Sequence, residues 1–299
     1  MKVIVSGSSG LIGTALVAQL RGAGHSVTRL VRNSRQASAS ERVVPWSPDR
    51  GTIEAVLLEG HDAIVNLAGE SLIGVWTSGK KAAIRESRVR GTTLLARTIA
   101  DLKDPPRVFV SASAVGYYGD RPGAERLDED ASKGSGFLSD VVEEWEGAAH
   151  LADATARVVT TRFGLVLSPK GGALAVMLPI FRAGLGGRVG SGDQTWSWVA
   201  LDDVIGSMLH VLTNDSLRGA VNFAAPNAVT NREFTETLGH VLHRPTVMVA
   251  PAFAIRLVTG DMGKEMLLAG ANVIPSRLLE TGYHFKFPVL EPALKALLA

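Results

Sequence analysis

Short runs of β-branched and other apolar residues alternate with longer amphipathic stretches through the first half of the chain. In the segment 138–152 the apolar positions recur at i, i+3, i+4 and i+7, which is the spacing of one helix face. Apolar strands that alternate with helices are typical of a parallel sheet that helices cover on both faces. The pattern predicts strands at 3–5, 26–31, 63–65, 108–110 and 157–161, and helices at 11–22, 79–101 and 138–152.

The second half of the chain has a different composition and predicts two smaller regions. Seven glycines occur from Gly171 to Gly192, so we expect the segment near 164–200 to be either a long mobile loop region or a small lobe. From about residue 246, prolines separate short helical patterns. We therefore expect an α/β domain over residues 1–245, which includes the lobe, and a small C-terminal domain over 246–299.

A glycine-rich turn follows the first predicted strand and precedes the first predicted helix. In a dinucleotide-binding unit, one glycine permits the tight turn, one lets a pyrophosphate approach the backbone and one lets the helix pack against the strand. The free N–H groups at the helix start then face the phosphates. The alternative is a turn without a ligand, but the position on the first strand–helix unit favours a dinucleotide. The candidate cofactor-binding residues of this turn are Gly7, Ser9, Gly10, Leu11, Ile12 and Gly13.

The residue after the second strand predicts which dinucleotide binds. NAD-binding units usually have an acidic residue about 20 positions further on, which bonds the ribose 2′-hydroxyl. Here that position holds Arg32, and no Asp or Glu lies between Gly13 and Glu41. A guanidinium would instead pair with a 2′-phosphate, which contributes ~1.5–3 kcal/mol. We therefore expect NADP(H). The alternative is a solvated surface arginine, because Arg29 and Arg35 are nearby.

Further motifs resemble a known family over essentially the full length. The stretch 62–70, DAIVNLAGE, resembles the strand and turn beside the adenine in short-chain dehydrogenases. The stretch 111–119, SASAVGYYG, resembles their catalytic-serine strand. Shorter strings from Ser87-Arg88-Val89 to Leu290 match, in order, one subgroup of atypical extended short-chain dehydrogenases, the epimerase-family proteins.

The resemblance implies a Rossmann α/β fold, that is, a doubly wound parallel sheet, with a smaller substrate lobe near 164–200 and a C-terminal extension. The subgroup usually has His where this chain has Ala200, so any substrate role of that His is missing or moved here. The resemblance also implies NADP(H) contacts by Arg32, Leu67, Ala68, Gly69, Arg88 and Val166.

The Tyr-x-x-x-Lys pair of typical short-chain dehydrogenases is absent. Its i, i+4 spacing places both side chains on one helix face, where the ammonium lowers the phenol pKa from ~10 toward a useful range. None of the three tyrosines in this chain has a lysine four positions further on. The candidate catalytic residues are Ser113, Tyr117 and Tyr118, because they follow a strand at its carboxyl end, where ligands bind. The alternative for the two tyrosines is core packing.

Four other groups of residues have competing interpretations. The five basic residues between Lys80 and Arg90 are typical of a solvated helix face, since the aromatic interleaving of a nucleic-acid patch is missing. His240 and His243 lack a third ligand, so we expect no metal. The segment 194–198 contains Gln194, Trp196, Ser197 and Trp198. Its tryptophans favour a role in lining a substrate pocket.

Asp202 and Asp203 precede an apolar run and predict a helix cap.

Composition narrows the function classes. The chain has 299 residues, 31 Lys+Arg against 29 Asp+Glu, a net charge of +2 and no cysteine. The absence of cysteine excludes disulfides, zinc-thiolate sites and a Cys nucleophile. The near-neutral balance argues against binding to nucleic acid or an anionic membrane. No apolar run approaches the ~18 residues of a membrane span, and Ser and Gly break the first ten residues too early for a secretory segment. We expect a cytoplasmic protein.

These observations favour an NADP(H)-dependent oxidoreductase or epimerase-like enzyme that acts on an unknown small-molecule carbonyl or alcohol. The main alternative is a non-catalytic NADP(H)-binding sensor or regulatory protein, which the missing Tyr/Lys pair supports. No apolar stripe stands out as an interface in the sequence, so either a monomer or a homodimer is compatible with it.

Overall fold

The computed structural model describes residues 1–32 and 41–299. In this part of the chain the strands are β1 (Lys2–Ser6), β2 (Ser26–Val31), β3 (Arg42–Ser47), β4 (Thr52–Ile53), β5 (Ala63–Asn66), β6 (Val108–Ala114), β7 (Arg126–Leu127), β8 (Arg157–Phe163), β9 (Leu165–Leu167), β10 (Gly187–Val189), β11 (Thr195–Trp196), β12 (Trp198–Ala200), β13 (Gly219–Phe223), β14 (Val229–Thr230), β15 (Met248–Ala250) and β16 (Asn272–Val273). The α-helices are α1 (Leu11–Gly22), α2 (Ser78–Ala100), α3 (Phe137–Ala149), α4 (Gly172–Arg182), α5 (Leu201–Thr213), α6 (Asn231–Leu242), α7 (Ala252–Thr259), α8 (Asp261–Met266), α9 (Ser276–Glu280) and α10 (Leu290–Leu298).

Eight strands form one sheet in the order β13-β8-β6-β5-β1-β2-β3-β4. Every neighbouring pair is parallel except β3 and β4. The strand order reverses beside β1, which has β2 on one side and β5 on the other. This is the doubly wound Rossmann arrangement, in which ligands bind outside the carboxyl ends of the strands at the point of reversal. The predicted fold class is confirmed.

Helices cover both faces of the sheet, and the alternation along β1 shows why its residues are apolar. Val3 and Val5 pack in the cluster that contains Leu16 of α1 and Met208 of α5. Ile4 packs in the opposite cluster, beneath α2. Successive side chains of a strand point to opposite faces, so a strand covered on both sides must be apolar throughout. The predicted strands and helices correspond to β1, β2, β5, β6 and β8 and to α1, α2 and α3.

The segment 164–200 is a lobe rather than a long loop. It contains α4 and four short strands, and Leu174 and Phe181 of α4 pack against Trp198. The expectation that the tryptophans line a substrate pocket is wrong, because Trp196 and Trp198 are only 8% and 0% exposed. The side-chain amide of Gln194 is also used internally, since Nε2 donates to the carbonyl oxygens of Val189 and Leu267. Ala200 is fully buried in the same cluster.

The C-terminal segment packs into the rest of the fold. Strand β15 pairs with β10 of the lobe, and β16 pairs with β7. Leu290 and Leu294 of α10 lie in the same apolar cluster as the lobe. The boundary at residue 246 stays a prediction, but the described part of this segment shares its core with the lobe. Over residues 1–32 and 41–299, none of the helices has the length and apolarity needed to cross a bilayer.

Asp203 connects the C-terminal segment to α5, and the predicted helix cap is wrong. Helix α5 starts at Leu201, with no side-chain cap. The Asp203 carboxylate is fully buried and accepts hydrogen bonds from the backbone amides of Lys286 (2.7 Å) and Phe287 (2.9 Å) and from the hydroxyl of Tyr283 (3.2 Å). Burial raises the pKa of this carboxyl. Its role is to satisfy amides of the C-terminal segment.

We expect the Asp203→Ala substitution to lower the free energy of unfolding by about 3 kcal/mol, because it leaves two backbone amides without an acceptor. Urea unfolding measures this change. Asp202→Ala is the matched control: its carboxylate is half exposed, pairs with Lys286 Nζ at 2.6 Å, and should contribute under about 1 kcal/mol. Equal effects of the two substitutions would contradict this account of Asp203.

Candidate functional site

A cleft of about 460 Å³ opens at the carboxyl ends of β1, β2 and β5. It lies at the reversal of strand order, where a Rossmann sheet binds its ligand. Trp46 and Pro48 form part of its wall. Seven of the predicted cofactor-binding residues line it, namely Gly7, Ser9, Gly10, Arg32, Leu67, Ala68 and Gly69. The structure thus brings the turns after three strands together. The other predicted residues do not line this cleft, namely Leu11, Ile12, Gly13, Arg88 and Val166.

The glycines of the first turn allow three backbone segments to approach closely. Gly7 has a φ of +62°, and a Cβ on it would lie 2.5 Å from the carbonyl oxygen of Leu67. A Cβ on Gly13 would overlap the carbonyl oxygen of Gly7. Gly13 therefore permits the packing of α1 against the turn, which is the third glycine role expected from the sequence.

The start of α1 has backbone donors to offer. The N-cap residue Gly10 has no side chain that could accept from the first turn. Among the described residues, none accepts a hydrogen bond from the amides of Leu11, Ile12 and Gly13. Free amides and the positive end of the helix dipole favour an anion at this place. The turn therefore fits a diphosphate.

Two arginines of β2 and its end have different surroundings. Arg29 is engaged: Nε donates to Ser8 Oγ at 2.8 Å, and Nη1 donates to both carboxylate oxygens of Glu41 at 2.9 and 3.0 Å. It therefore braces the glycine turn. Arg32 is exposed and lines the cleft, with no hydrogen bond or ion pair to residues 1–32 or 41–299. Arg35 falls outside the described residues.

Arg88 lies behind the turn that follows β5. Its Nη1 donates to the carbonyl oxygens of Glu70 and Ile84, both at 3.1 Å, and its guanidinium lies 5.2 Å from the ring centre of Trp145. Burial lowers the pKa of Arg88 to about 10. A Cβ on Gly69 would come within 3.5 Å of Arg88 Cζ. Arg88 holds the turn in place, and its contact with a cofactor stays a prediction.

Glu70 is a carboxylate on the wall of the cleft, and Lys80 neutralises it. Lys80 Nζ lies 2.7 Å from Glu70 Oε1, and this hydrogen bond lowers the pKa of Glu70. Val166, another predicted contact, is half-buried in β9 opposite Val199. It lies outside the residues that line the cleft.

A buried hydrogen-bond chain that the sequence analysis missed supports the turn after β5. Ser6 Oγ donates to Asn66 Oδ1 at 2.6 Å and accepts from the amides of Leu67 and Ala68. Asn66 Nδ2 then donates to Thr92 on α2 at 2.9 Å. A sequence signal for this chain of hydrogen bonds exists: a polar residue, Ser6 or Asn66, directly follows each of the two apolar runs at 3–5 and 63–65.

A second polar group lies at the ends of β6 and β8, and we call Ser113, Tyr118, Glu146 and Arg162 the polar cluster. All four are at most 8% exposed. Arg162 binds Glu146 through two hydrogen bonds of 2.8 Å, from Nε to Oε1 and from Nη2 to Oε2. Ser113 Oγ donates to Glu146 Oε1 at 2.5 Å. Although burial alone would lower the pKa of Arg162, its bonds to Glu146 raise it above the ordinary value.

The two adjacent tyrosines differ in accessibility. Tyr118 is fully buried, its hydroxyl donates to the carbonyl oxygen of Asp128 or to Asn222 Oδ1, and it accepts from Arg162 Nη1 at 2.9 Å. Burial raises the pKa of Tyr118 to about 12. A ligand could not reach this hydroxyl, so the structure does not support a catalytic Tyr118. Tyr117 is half-buried, and its ring centre lies 3.6 Å from Arg162 Cζ.

Within the described ranges, no group of three or more His, Asp or Glu side chains is arranged to hold a metal ion. His240 is well exposed, with its nearest carboxylate, that of Glu291, at 3.8 Å. His243 has a φ of +53° and ends α6 in the left-handed conformation.

Comparison with known proteins assigns the family. Residues 3–224 match the profile described as "NAD dependent epimerase/dehydratase family". The chain belongs to this family. Residues 250–297 match a second profile, "Domain of unknown function (DUF1731)", which covers most of the C-terminal segment. The family assignment agrees with the Rossmann sheet and with the cleft at its point of reversal.

Members of the epimerase/dehydratase family that resemble this chain include proteins of bacteria and animals. The epimerase family protein Mb2239 of Mycobacterium bovis is 40% identical over 294 residues, which is 98% of this chain and 96% of that protein. The epimerase family protein SDR39U1 of Homo sapiens is 38% identical over 303 residues and covers 100% of both chains. The predicted subgroup is thus confirmed.

Two solved structures resemble this fold over nearly all of its length. The human epimerase family protein SDR39U1 (isoform 2), crystallised with NADPH, has a TM-score of 0.90 and 37% identity and covers 99% of each chain. The nucleoside-diphosphate sugar epimerase of Corynebacterium glutamicum has a TM-score of 0.80 and 33% identity, over 98% of this chain and 57% of that one.

We expect Tyr118 to affect stability at alkaline pH. Tyrosine in an unfolded chain ionises near pH 10, whereas the pKa of folded Tyr118 is about 12. Between these values only the folded state keeps the proton, so stability falls as pH rises, by about 3 kcal/mol in all. Urea unfolding between pH 9 and 11 should show a shallower decline in the Tyr118→Phe variant. An unchanged decline would mean that the folded environment does not perturb Tyr118.

Proposed function

We propose that this chain binds NADP(H) in the cleft and uses it as an oxidoreductase or epimerase-like enzyme on a small-molecule carbonyl or alcohol. The observation that carries the proposal is the exposed Arg32 guanidinium on the cleft wall, at the position where NAD-binding units usually have a carboxylate. The human relative that was crystallised with NADPH supports the same choice of dinucleotide.

The residues present fit each part of NADP(H). Glycine at position 7 lets the turn approach the backbone at Leu67, and the free amides at the start of α1 match a diphosphate. Arg32 would pair with the 2′-phosphate through charge-assisted hydrogen bonds. The backbone of the turn after β5, at Leu67, Ala68 and Gly69, would hold the adenosine side. Arg88 supports that turn from behind, and Val166 would contact the far end of the cofactor.

Reduction of a carbonyl needs a hydride from the cofactor and a proton from the chain. Bound NADPH supplies a hydride to a carbonyl carbon, and the carbonyl oxygen needs a proton to give the alcohol and NADP⁺. The chain must therefore present a proton donor beside the substrate. Ser113 is poorly suited to donate alone, because it is 2% exposed and its hydroxyl is bonded to Glu146. Tyr117, four positions further along the chain, is half-buried and therefore partly accessible.

The alternative function is a non-catalytic NADP(H) sensor. It is favoured by the missing Tyr-x-x-x-Lys pair and by the buried, internally bonded hydroxyls of Ser113 and Tyr118. A sensor would bind NADPH but would not accelerate its oxidation by any member of a panel of aldehydes, ketones and quinones. A cytoplasmic location, the absence of nucleic-acid and membrane partners, and a monomeric or dimeric state stay predictions.

The Arg32→Ala substitution tests the cofactor assignment. We expect it to weaken NADPH binding by roughly tenfold to a hundredfold, the equivalent of one charge-assisted hydrogen bond, and to leave NADH binding unchanged. Fluorescence titration of each dinucleotide measures both affinities.

Arg90→Ala is the matched control for this test, because Arg90 is a half-exposed arginine on α2 whose partner is Glu86. It should alter neither affinity. Equal affinities of the unsubstituted protein for NADPH and NADH would overturn the assignment of Arg32 to a 2′-phosphate.

A further inference from the structure

The polar cluster raises a question that the proposed function leaves open: which group supplies the proton. Ser113, Arg162 and Asn222 are lateral partners on the neighbouring strands β6, β8 and β13. Lateral partners in a parallel sheet point to the same face, which here is the face covered by α3, the helix of Glu146. Sheet register therefore places a guanidinium beside the serine at the carboxyl edge of the sheet.

A buried ion pair holds this guanidinium in a fixed orientation. Both its Nε and Nη2 are bonded to the Glu146 carboxylate, and Nη1 donates to the Tyr118 hydroxyl and to the carbonyl oxygen of Glu129. All three nitrogens are thus used within the plane of the group. The Tyr117 ring lies against one flat face of the group, with its centre 3.6 Å from Arg162 Cζ.

The backbone of Tyr117 is fixed as well. Its carbonyl oxygen accepts from Ser139 Oγ at 2.8 Å and from the amide of Gly134 at 2.9 Å. The residue belongs to the short 3₁₀ turn Val115–Tyr118 that ends β6. Tyr117 is therefore a partly exposed phenol that is held at the carboxyl edge of the sheet with a cation against its ring.

We propose that Tyr117 is the proton-transfer residue of this site, and that Arg162, oriented by Glu146, is the positioning residue that supplies the positive charge of the missing lysine. This inference rests on the proposed function. A cation against an aromatic face is attracted to the ring, so Arg162 holds the Tyr117 ring in place with a positive charge against it. The Tyr117 hydroxyl would give its proton to the carbonyl oxygen as the hydride reaches the carbon, and water would then reprotonate the phenolate.

Acetylation with N-acetylimidazole, mapped by mass spectrometry, tests the position of Tyr117 without a substrate. We expect the Tyr117 oxygen to be acetylated. The oxygens of Tyr118, which is fully buried, and of Tyr283, whose hydroxyl is hydrogen-bonded to Asp203, should remain unmodified. NADP⁺ at about ten times its Kd should slow the Tyr117 reaction about tenfold, in proportion to the free protein that remains. An unreactive Tyr117, or one that bound NADP⁺ does not protect, would overturn the proposal.

The role of Arg162 needs a variant that keeps the fold. Removing one member of a buried ion pair is strongly destabilising, whereas replacing both by apolar residues of similar volume is often tolerated. In the double variant Arg162→Met, Glu146→Leu we expect Tyr117 acetylation to slow about tenfold, because the ring loses the cation that lies against its face. A purely structural role predicts the opposite sign, since a loosened ring would react faster. An unchanged or faster reaction would therefore overturn the role of Arg162.

Two further measurements separate the possible failures. Arg162→Lys keeps a positive charge, so in this variant the acetylation rate of Tyr117 should lie between those of the unsubstituted protein and the double variant. A Tyr117 rate as low as in the double variant would count against a role for charge. Tyr283→Phe, distant from the polar cluster, should leave Tyr117 labelling unchanged. NADPH affinity is measured on every sample. If NADPH does not bind the unsubstituted protein, the proposed function fails and this inference with it; if NADPH binds without protecting Tyr117, only this inference fails.

Discussion

The site depends on the close approach of three backbone segments at the reversal of strand order. The turn after β1, the start of α1 and the turn after β5 meet at Gly7, where a single added methyl group would collide with Leu67. The first amides of α1, directly after this turn, have no acceptor among the described residues. A diphosphate can therefore approach the backbone itself, and its charge meets the helix terminus at short range. The same approach places the turn after β5 on one cleft with Arg32, which is what the roles we propose for them require.

The buried pair of Arg162 and Glu146 orients the guanidinium, and this role is better supported than a contribution to the stability of the fold. Burying two charges costs several kcal/mol per ion before their attraction is counted, so such a pair is weak support for a fold. The pair fixes the plane of the guanidinium, because each of its nitrogens donates at least one hydrogen bond, and the Tyr117 ring lies against a face of that plane. A flexible lysine ammonium could not orient a ring in this way, because it is a point charge on a mobile chain.

The sequence predicted those features of the molecule that depend on residues close together in the chain. The alternation of apolar strands and helices, the glycine turn and Arg32 are all properties of short windows, and the structure places them as expected. The ion pair of Glu146 and Arg162 is a tertiary contact between a helix and a strand, so neither residue stood out alone. The prediction that Trp198 lines a substrate pocket failed for a related reason. A glycine-rich sequence around a tryptophan does not show how deeply its side chain is buried.

The C-terminal segment belongs to the scaffold of the polar cluster, although it starts far from it in sequence. Glu265 of α8 accepts from the amides of Phe137 and Leu138, which open α3, the helix that bears Glu146. Ile274 accepts from the side chain of Asn222, whose Oδ1 is a partner of the Tyr118 hydroxyl. Helix α3 has no side-chain cap of its own, so its first turn relies on a carboxylate from this segment. The C-terminal segment therefore holds the start of α3, the helix whose Glu146 orients Arg162. This contact is a physical reason why the segment accompanies the Rossmann domain.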